Sequence, residues 1–423
     1  MKPKALAVAN LFEGRIGYLV AGLSHFFDLD VLYITNHQFS KESEIFYPWL
    51  YDAGVNFTKF VSPEQILELN KTYEFFFFDA EPFNVYRSSN GQTPKYFESK
   101  THMLDFFGKI KKKIPKFYYI EMGEIFFFSF TSPEFWDLVD GVIKHHVFKK
   151  EFAHLVRREA QNPQNFLFSH KDFSNEAELM KDNSIFEAEN YYHKIFPLPF
   201  PPSIVDAPNS IVPLKKRLYD IAGNFHIVHK LRCGIAQIVK DSLKPGQYYG
   251  MDYGAFWESN KKVFKNLLNP LLVEKMKITR LLSKFKYGKY HYPKLLYVHS
   301  LKQSKSFLGL GLYYSSYRTA DVWSYGSVLI SWSHDKIDYG VPLIDGYNYI
   351  SIGEREEISP NNKDILPQYK EKIASIVQGI LQNPAKQQEL INNGLKTYQE
   401  YYSSPKQMVK KIFIEKALPG LIK

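Results

Sequence analysis

Two arginines and one carboxylate, each close to a glycine and an apolar strand, are the groups in this sequence best suited to hold an anion. Tyr219-Asp220-Ile221-Ala222-Gly223-Asn224 reads as a strand ending in Gly-Asn, and Arg232 follows Asn224 by eight residues. A glycine at a strand's end lets a ligand come close to the backbone. Arg232 can then offer its guanidinium fork to a diphosphate. A plain turn glycine and a solvated helix arginine account for the same residues equally well. Further on, Arg318 and Asp321 stand three apart, on one helix face, ahead of Gly326 and the apolar run Ser327-Val328-Leu329-Ile330-Ser331-Trp332. The Asp321 carboxylate can accept hydrogen bonds from ribose hydroxyls while the helix N-terminus holds phosphate. A carboxylate that only answers the helix dipole is the bland alternative.

These residues need strands to carry them, and the chain supplies two series. Ala5–Ala9, Asp30–Thr35, Tyr73–Asp79, Lys116–Glu121 and Val139–Ile143 are short apolar runs separated by helical patterns. Runs of that kind are strands buried on both faces of a parallel sheet. The prolines from Pro197 to Pro213 then interrupt the pattern and predict a linker over residues 196–213. A second series starts at Leu218 and continues through Gln247–Gly250, a basic helical stretch over 260–285, a helix from Tyr297 to Ser304, and strands at Ser306–Leu310, Ser327–Trp332 and Tyr349–Ile352. The tail from Leu366 to Ala417 is helical, broken at Pro384 and Pro405. No short internal repeat is present, which excludes a solenoid.

Composition narrows the class. The chain has 423 residues, a length that favours two domains over one. Its net charge of +10 draws acidic partners such as nucleotides, nucleic acid or an anionic membrane surface without choosing among them. The 35 Phe and 30 Tyr reflect either codon bias or stacking platforms for bases and sugars. A single cysteine, Cys233, excludes a disulfide framework and a cysteine metal cluster, and points to a reducing, cytoplasmic setting. No apolar stretch is long enough to span a bilayer, which leaves peripheral membrane contact open. No Gly-x-Gly-x-x-Gly follows either first strand, so a nicotinamide enzyme is disfavoured.

Taken together, Tyr219–Asn224, Arg232, Tyr297–Lys305 and Tyr317–Ile330 resemble the C-terminal half of GT-B glycosyltransferases, nearest to the CgeB-like and exostosin-like kind. Pro342–Tyr349 and the helices after Leu381 continue the resemblance, which covers residues 214 to 415. It implies an α/β fold of two Rossmann-like domains facing a cleft, with a C-terminal helix crossing back to the N-terminal domain. The expected domains are 1–195 for the acceptor, 214–400 for the nucleotide sugar, and a closing helix at 401–423. The resemblance implies donor contacts from Gly14, Gly223, Asn224, Arg232, Tyr297, Arg318 and Asp321, with Arg232 on the diphosphate and Asp321 on the ribose or donor sugar. It also implies no bound metal and no cofactor besides the donor, a UDP- or GDP-sugar. Retaining relatives of the glycogen-synthase kind carry Glu-x7-Glu; here the first position falls on Tyr313 and the second on Asp321, so stereochemistry does not carry over.

Bases for the acceptor hydroxyl are expected from the first half. Glu13, beside Gly14, lies on the first strand-to-helix loop, within reach of a hydroxyl. Glu121 and Glu124 end a buried strand, where desolvation favours acid–base use. His145 and His146 follow the fifth strand. A surface ion pair, a cap and a loop histidine are the corresponding ordinary readings. The expected function is transfer of a sugar from a nucleotide diphosphate to a hydroxyl on a glycan or lipid-linked glycan. A modified DNA base as acceptor, and a catalytically inactive module that binds a nucleotide or glycan, are the alternatives.

Overall fold

The structure, a computed structural model, describes residues 2–9, 14–33, 55–59, 62–79, 97, 99–122, 126–161, 176–203, 208, 210–225, 230–252, 291–311, 318–358 and 365–422. Expectations for Glu13, Glu124, Tyr313, Tyr317 and the basic stretch 260–285 lie outside them. The chain divides into two compact units. One comprises Met1–Pro201, Lys336–Pro342 and Glu400–Lys423; the other comprises Pro202–Asp335 and Leu343–Gln399.

The first unit is built on a parallel sheet. Its strands are β1 (Lys4–Ala9), β2 (Asp28–Tyr33), β3 (Asn56–Lys59), β4 (Phe75–Asp79), β5 (Lys116–Glu121), β6 (Gly141–Lys144) and, after a short β7 (Val147–Phe148) outside it, β8 (Ile195–Pro197). Their order is β3-β2-β1-β4-β5-β6-β8, with every neighbouring pair parallel. The first six follow the Rossmann order, and the order reverses between β1 and β4. Both β1 and β4 are buried on both faces, as a sheet covered on two sides requires.

The aromatic wealth is largely spent here, on packing. Phe76, Phe78, Phe117 and Tyr119 share one sheet face and meet the helix Lys100–Lys113 through Phe106 and Phe107. Phe78 and Phe107 lie 5.1 Å apart edge to face, Phe107 and Phe117 4.9 Å apart, and Tyr119 and Phe135 5.0 Å apart. Such pairs add about 1 kcal/mol each beyond their burial. These rings are core and offer no face to a base or sugar.

The opposite face is covered by the helix Gly14–Ser24 and by the end of the chain. Met408, Val409, Ile412, Phe413 and Ile414 join Ile16, Leu19, Val20 and Phe77 in one core. The Phe413 ring stands edge-on to Tyr118 at 4.9 Å. Gly22 is needed where Pro405 and Val409 cross: a Cβ there would lie 2.3 Å from a Val409 methyl and 2.5 Å from the Pro405 carbonyl. The expected return of the C-terminal helix to the first domain is thus present, although it is divided into Pro405–Val409, a π-helical turn Lys410–Ile414, and Glu415–Ala417.

The second unit is a smaller parallel sheet. Its strands are β9 (Tyr219–Phe225), β10 (Tyr248–Asp252), β11 (Ser304–Leu308), β12 (Val328–Ser331) and, after β13 (Ile337–Asp338), which belongs to the first unit and pairs there antiparallel with β7, β14 (Ile350–Ser351). The order is β10-β9-β11-β12-β14, all parallel. That is the 2-1-3-4-5 arrangement, with its reversal between β9 and β11. The helices Lys230–Asp241 and Pro367–Leu381 supply Leu231, Ile235, Val239, Ile373 and Val377 to its core. The helices Pro367–Leu381, Pro384–Tyr401 and Pro405–Val409 each begin on a proline, where the missing N–H costs nothing, so the chain breaks where the prolines predict.

Two features depart from expectation. β3 is short and polar, NFTK, so its period gave no strand signal. The predicted linker begins inside the sheet, because β8 includes Pro197. A proline is tolerated there because β8 is the edge strand.

Candidate functional site

In open parallel sheets a ligand sits beyond the carboxyl ends of the strands, at the reversal of strand order. In the second unit that point lies between β9 and β11. β9 carries Gly223, in register with Gly250 of β10, and ends Asn224-Phe225. β11 is followed by Gly309-Leu310-Gly311. The helix Lys230–Asp241 starts five residues after β9, and Arg232 stands in its first turn, only 7% exposed. The sequence thus brings two glycine-bearing strand ends and a helix start with a buried arginine to one edge.

Arg318 opens the helix Arg318–Ser324, and Asp321 stands in its first turn with 0% exposure. Its Oδ1 accepts from the Ser203 backbone N–H at 2.9 Å. Its Oδ2 accepts from the Ser203 hydroxyl and from the Tyr297 hydroxyl, the latter at 3.0 Å. The structure therefore joins Tyr297 and Asp321, two of the residues singled out by the sequence. Both carboxylate oxygens are already engaged within the unit, which differs from the expected carboxylate facing a ribose. Burial, followed by the Asp321 charge, pushes the Tyr398 hydroxyl up to about 12.

Arg217 went unnoticed in the sequence because it sits in the short basic run Lys215-Lys216-Arg217, which looks solvated. Its guanidinium is buried and pinned to carbonyls. Nη1 donates to Ser304 O at 2.6 Å and to the Ser327 hydroxyl at 2.8 Å, Nη2 to Tyr325 O at 2.9 Å, and Nε to Val212 O at 2.9 Å. Desolvation lowers its pKa to about 10. A cation at the C-terminal ends of two helices answers their dipoles and leftover carbonyls. Gly326, at φ +66°, makes the turn between the second of these helices and β12. This stretch is scaffold for the Arg318 helix.

In the first unit, Gly14 is the first residue of the helix that follows β1. Glu121 ends β5 and Lys144 ends β6, directly opposite it. Glu121 Oε1 accepts from the Ser129 N–H at 2.9 Å and from its hydroxyl at 2.7 Å. The Lys144 ammonium lies 3.6 Å from the same oxygen. His145 N–H donates to the Glu121 carbonyl at 3.2 Å, so Glu121 and His145 are tied through the backbone. The His145 ring stacks on Phe200 at 4.5 Å, and its Nδ1 lies 2.6 Å from Leu198 O. A carbonyl only accepts, so Nδ1 carries the proton and Nε2 is the basic nitrogen. His146 turns the chain at φ +50°, a left-handed conformation uncommon outside glycine. Lys144, like Arg217, is a residue that sequence reasoning missed. Its only signal was a charge at the end of the apolar run Gly141-Val142-Ile143, just ahead of the two histidines.

Among the described residues there is no group of three His, Cys, Asp or Glu side chains able to hold a metal ion, and no helix long and apolar enough to cross a membrane.

No protein-family model and no curated protein matches the sequence. Among solved structures, the chain is similar to the UDP co-structure of MnaA from S. aureus, at 10% identity over 95% of this chain and 94% of that one, with a TM-score of 0.40. It is similar to the glycosyltransferase of kitacinnamycin, at 9% identity over 99% and 100% of the two chains, with a TM-score of 0.39. It is also similar to a UDP-glucosyltransferase from Polygonum tinctorium capable of glucosylating indoxyl, at 9% identity over 94% and 99%, with a TM-score of 0.35. With likeness this distant, the two-unit α/β assignment rests on the strand orders themselves.

Proposed function

We propose that the protein is a glycosyltransferase that moves a sugar from a nucleotide diphosphate sugar, of the UDP or GDP kind, to an acceptor hydroxyl on a glycan or lipid-linked glycan. The observation that carries this reading is the reversal point of the second sheet. There a glycine-bearing strand end, Gly223-Asn224, adjoins a helix start with the buried Arg232. A nucleotide diphosphate needs close backbone approach, a helix N-terminus and a guanidinium, and all three belong to that edge.

In this reading Arg232 neutralises the leaving diphosphate, and Gly223 and Asn224 line its approach. Arg318 adds positive charge from the start of its own helix. Tyr297 and Asp321 brace that helix; a direct contact from Asp321 to the ribose requires one of its present hydrogen bonds to be traded. The first unit carries the acceptor and a base drawn from Glu121 and His145. Metal and cofactor have no part in the proposed chemistry. Phe76, Phe78, Phe107, Phe117 and Tyr119 are buried in the core and so are not stacking platforms for a DNA-base acceptor, since stacking needs exposed rings.

The test is a melting-temperature screen with UDP-, GDP-, CMP- and TDP-sugars, followed by turnover with the sugar that binds. A ligand at a hundred times its Kd adds about 2.7 kcal/mol to the folded state, a shift of several degrees. Arg232→Ala is expected to abolish both the shift and turnover with the fold retained. Wild-type turnover by that variant rejects the assignment. The engagement of both Asp321 oxygens also supports a second reading, a module that binds a nucleotide sugar without transferring it. Binding with no turnover across an acceptor panel selects that reading.

A further inference from the structure

Two neighbouring strands of the second sheet separate before they end. Ladder pairing between β9 and β11 stops at Ala222 and Phe307. β9 runs on beside β10 as far as Phe225, and β11 runs on beside β12 as far as Leu308. A crevice therefore opens at the carboxyl edge where the strand order reverses, with Gly223-Asn224 on one wall and Gly309-Leu310-Gly311 on the other. Both walls, and the residues behind them, belong to the same unit.

The second wall is held from behind by the end of β12. Gly309 N–H donates to Ile330 O at 2.8 Å. The Ser331 hydroxyl donates to Gly309 O at 3.2 Å, and Trp332 Nε1–H donates to Gly311 O at 3.1 Å. His334 stands behind Ser331, with its Nε2 3.2 Å from the Ser331 oxygen. The Ser331 proton goes to a carbonyl, which only accepts, so the Ser331 oxygen accepts from His334 Nε2–H. Tyr349 fixes His334 in turn: the rings lie 4.9 Å apart, and the His334 backbone N–H donates to the Tyr349 hydroxyl at 3.0 Å. Ser331, Trp332 and His334 are all buried.

Satisfying two buried carbonyls is an ordinary structural task. The peptide between Gly309 and Leu310 shows what that task leaves over. A trans peptide points its C=O and its N–H in opposite directions. With Gly309 O drawn toward β12, the Leu310 N–H faces the β9 side, which is the crevice. Leu310 is fully buried, and among the described residues no group accepts from its N–H. A buried N–H without an acceptor is rare in folded proteins. Here it stands at the edge where open parallel sheets take their ligands.

We propose that the Leu310 N–H is a donor-binding contact, made to an oxygen of the nucleotide, and that Ser331, His334 and Trp332 are positioning residues that hold its peptide in place. This inference rests on the glycosyl-transfer reading and adds to it the wall across from Gly223. His334 acts through Ser331 and Gly309, and Trp332 acts through Gly311; none of the three side chains touches the nucleotide. A hydrogen bond made in so dry a place is stronger than the same bond in water.

The experiment uses the full chain with leucine labelled at its backbone nitrogen, and the Leu310 amide signal is assigned by its loss in Leu310→Ile. UDP and GDP are the probes, and UMP and GMP are titrated beside them. In wild type the Leu310 signal is expected to move on saturation with the diphosphate that binds. Ser331→Ala and Trp332→Phe each remove one donor to the wall, and are expected to raise the dissociation constant about tenfold at a temperature where all the proteins are folded. Ser331→Thr keeps the hydroxyl and is expected to restore affinity. Weaker binding of monophosphate and diphosphate alike places the oxygen on the nucleoside or its first phosphate, and weaker binding of the diphosphate alone places it on the second; either result supports the contact. Should Ser331→Ala fail to fold, Trp332→Phe carries the comparison. An unmoved Leu310 signal at saturation, or wild-type affinity in the folded variants, overturns the inference and leaves the transfer reading standing. Failure of wild type to bind either diphosphate or any nucleotide sugar overturns that reading, and the contact with it.

Discussion

The Tyr297 hydroxyl donates to Asp321 Oδ2 at 3.0 Å, joining the middle of the helix before β11 to the first turn of the helix before β12. The same carboxylate holds Ser203 through its backbone N–H and its hydroxyl. Asp321 is therefore a knot between three chain segments.

Removing one strand of that knot differs from removing its centre. Tyr297→Phe deletes a single donor to a buried carboxylate and is expected to cost about 1–2 kcal/mol. Asp321→Ala strands the Tyr297 hydroxyl and the Ser203 groups, and is expected to cost about 3 kcal/mol or more. Urea denaturation of both variants and of the double variant measures the coupling, expected at about 1 kcal/mol. Independent, additive losses would show that the hydrogen bond contributes nothing.

The sequence made this knot legible only in part. The types and spacing of Tyr297, Arg318 and Asp321 mark a polar site on helices that feed strands. Periodicity cannot say whether a carboxylate on such a helix faces out or in, because both carry the same spacing. Ser203 decides it, and it lies 118 residues away in sequence. The strands β1, β4, β5 and β9 were readable because runs such as Phe75-Phe76-Phe77-Phe78 leave no other way to bury four rings. β3, with no apolar run, and β8, ending on a proline, gain their place from pairing with neighbours. Lys144 was hidden for the opposite reason. A lone lysine at a strand end looks solvated until the Phe128 ring and Glu121 are seen beside it and its side chain is found fully buried.

Gly326 is expected to resist substitution. Its φ of +66° is strained for any side chain, and a Cβ would fall 2.8 Å from an Ile211 carbon and 3.4 Å from the Arg217 guanidinium. Gly326→Ala should cost about 1–3 kcal/mol. Ile211→Ala in the same background should return part of that loss, because it removes the nearest clash. Thermal unfolding of the three proteins checks both statements. A neutral Gly326→Ala would mean that the turn relaxes freely and that Arg217 does not fix it.

Phe413 is the anchor by which the chain's end holds the first unit. Its ring meets Tyr118 at 4.9 Å, Phe196 at 5.4 Å and Phe77 at 5.9 Å, all edge-on. Phe413→Ala should cost about 3–5 kcal/mol, the usual loss for a buried phenylalanine. Limited proteolysis near Glu400 is expected to accelerate with it, since the segment behind the cut would lose its main contact. A variant as resistant as wild type would show that Met408, Val409 and Ile412 suffice.

Asp140 gives the first unit a pH dependence of definite sign. It sits just before β6 and accepts from the Phe117 N–H at 2.8 Å, from Lys111, and from Lys116 at 3.1 Å. Burial alone would raise its pKa, but the bonds from Lys111, Phe117 and Lys116 outweigh it and hold the carboxyl below the usual aspartate value. A depressed carboxyl contributes stability that is present above the unfolded-state pKa and lost as pH falls through the lower, folded one. The loss therefore belongs to the acid range below about pH 4. Because the Asp140 side chain is only partly buried, solvent screening keeps its contribution to about 1 kcal/mol. Asp140→Asn should lower stability at neutral pH by that amount and flatten the acid limb, so that the two proteins converge at low pH. Denaturant midpoints measured from neutral pH downward test this. Curves that run parallel to the lowest pH at which the protein folds would show that the Asp140 charge is not coupled to folding.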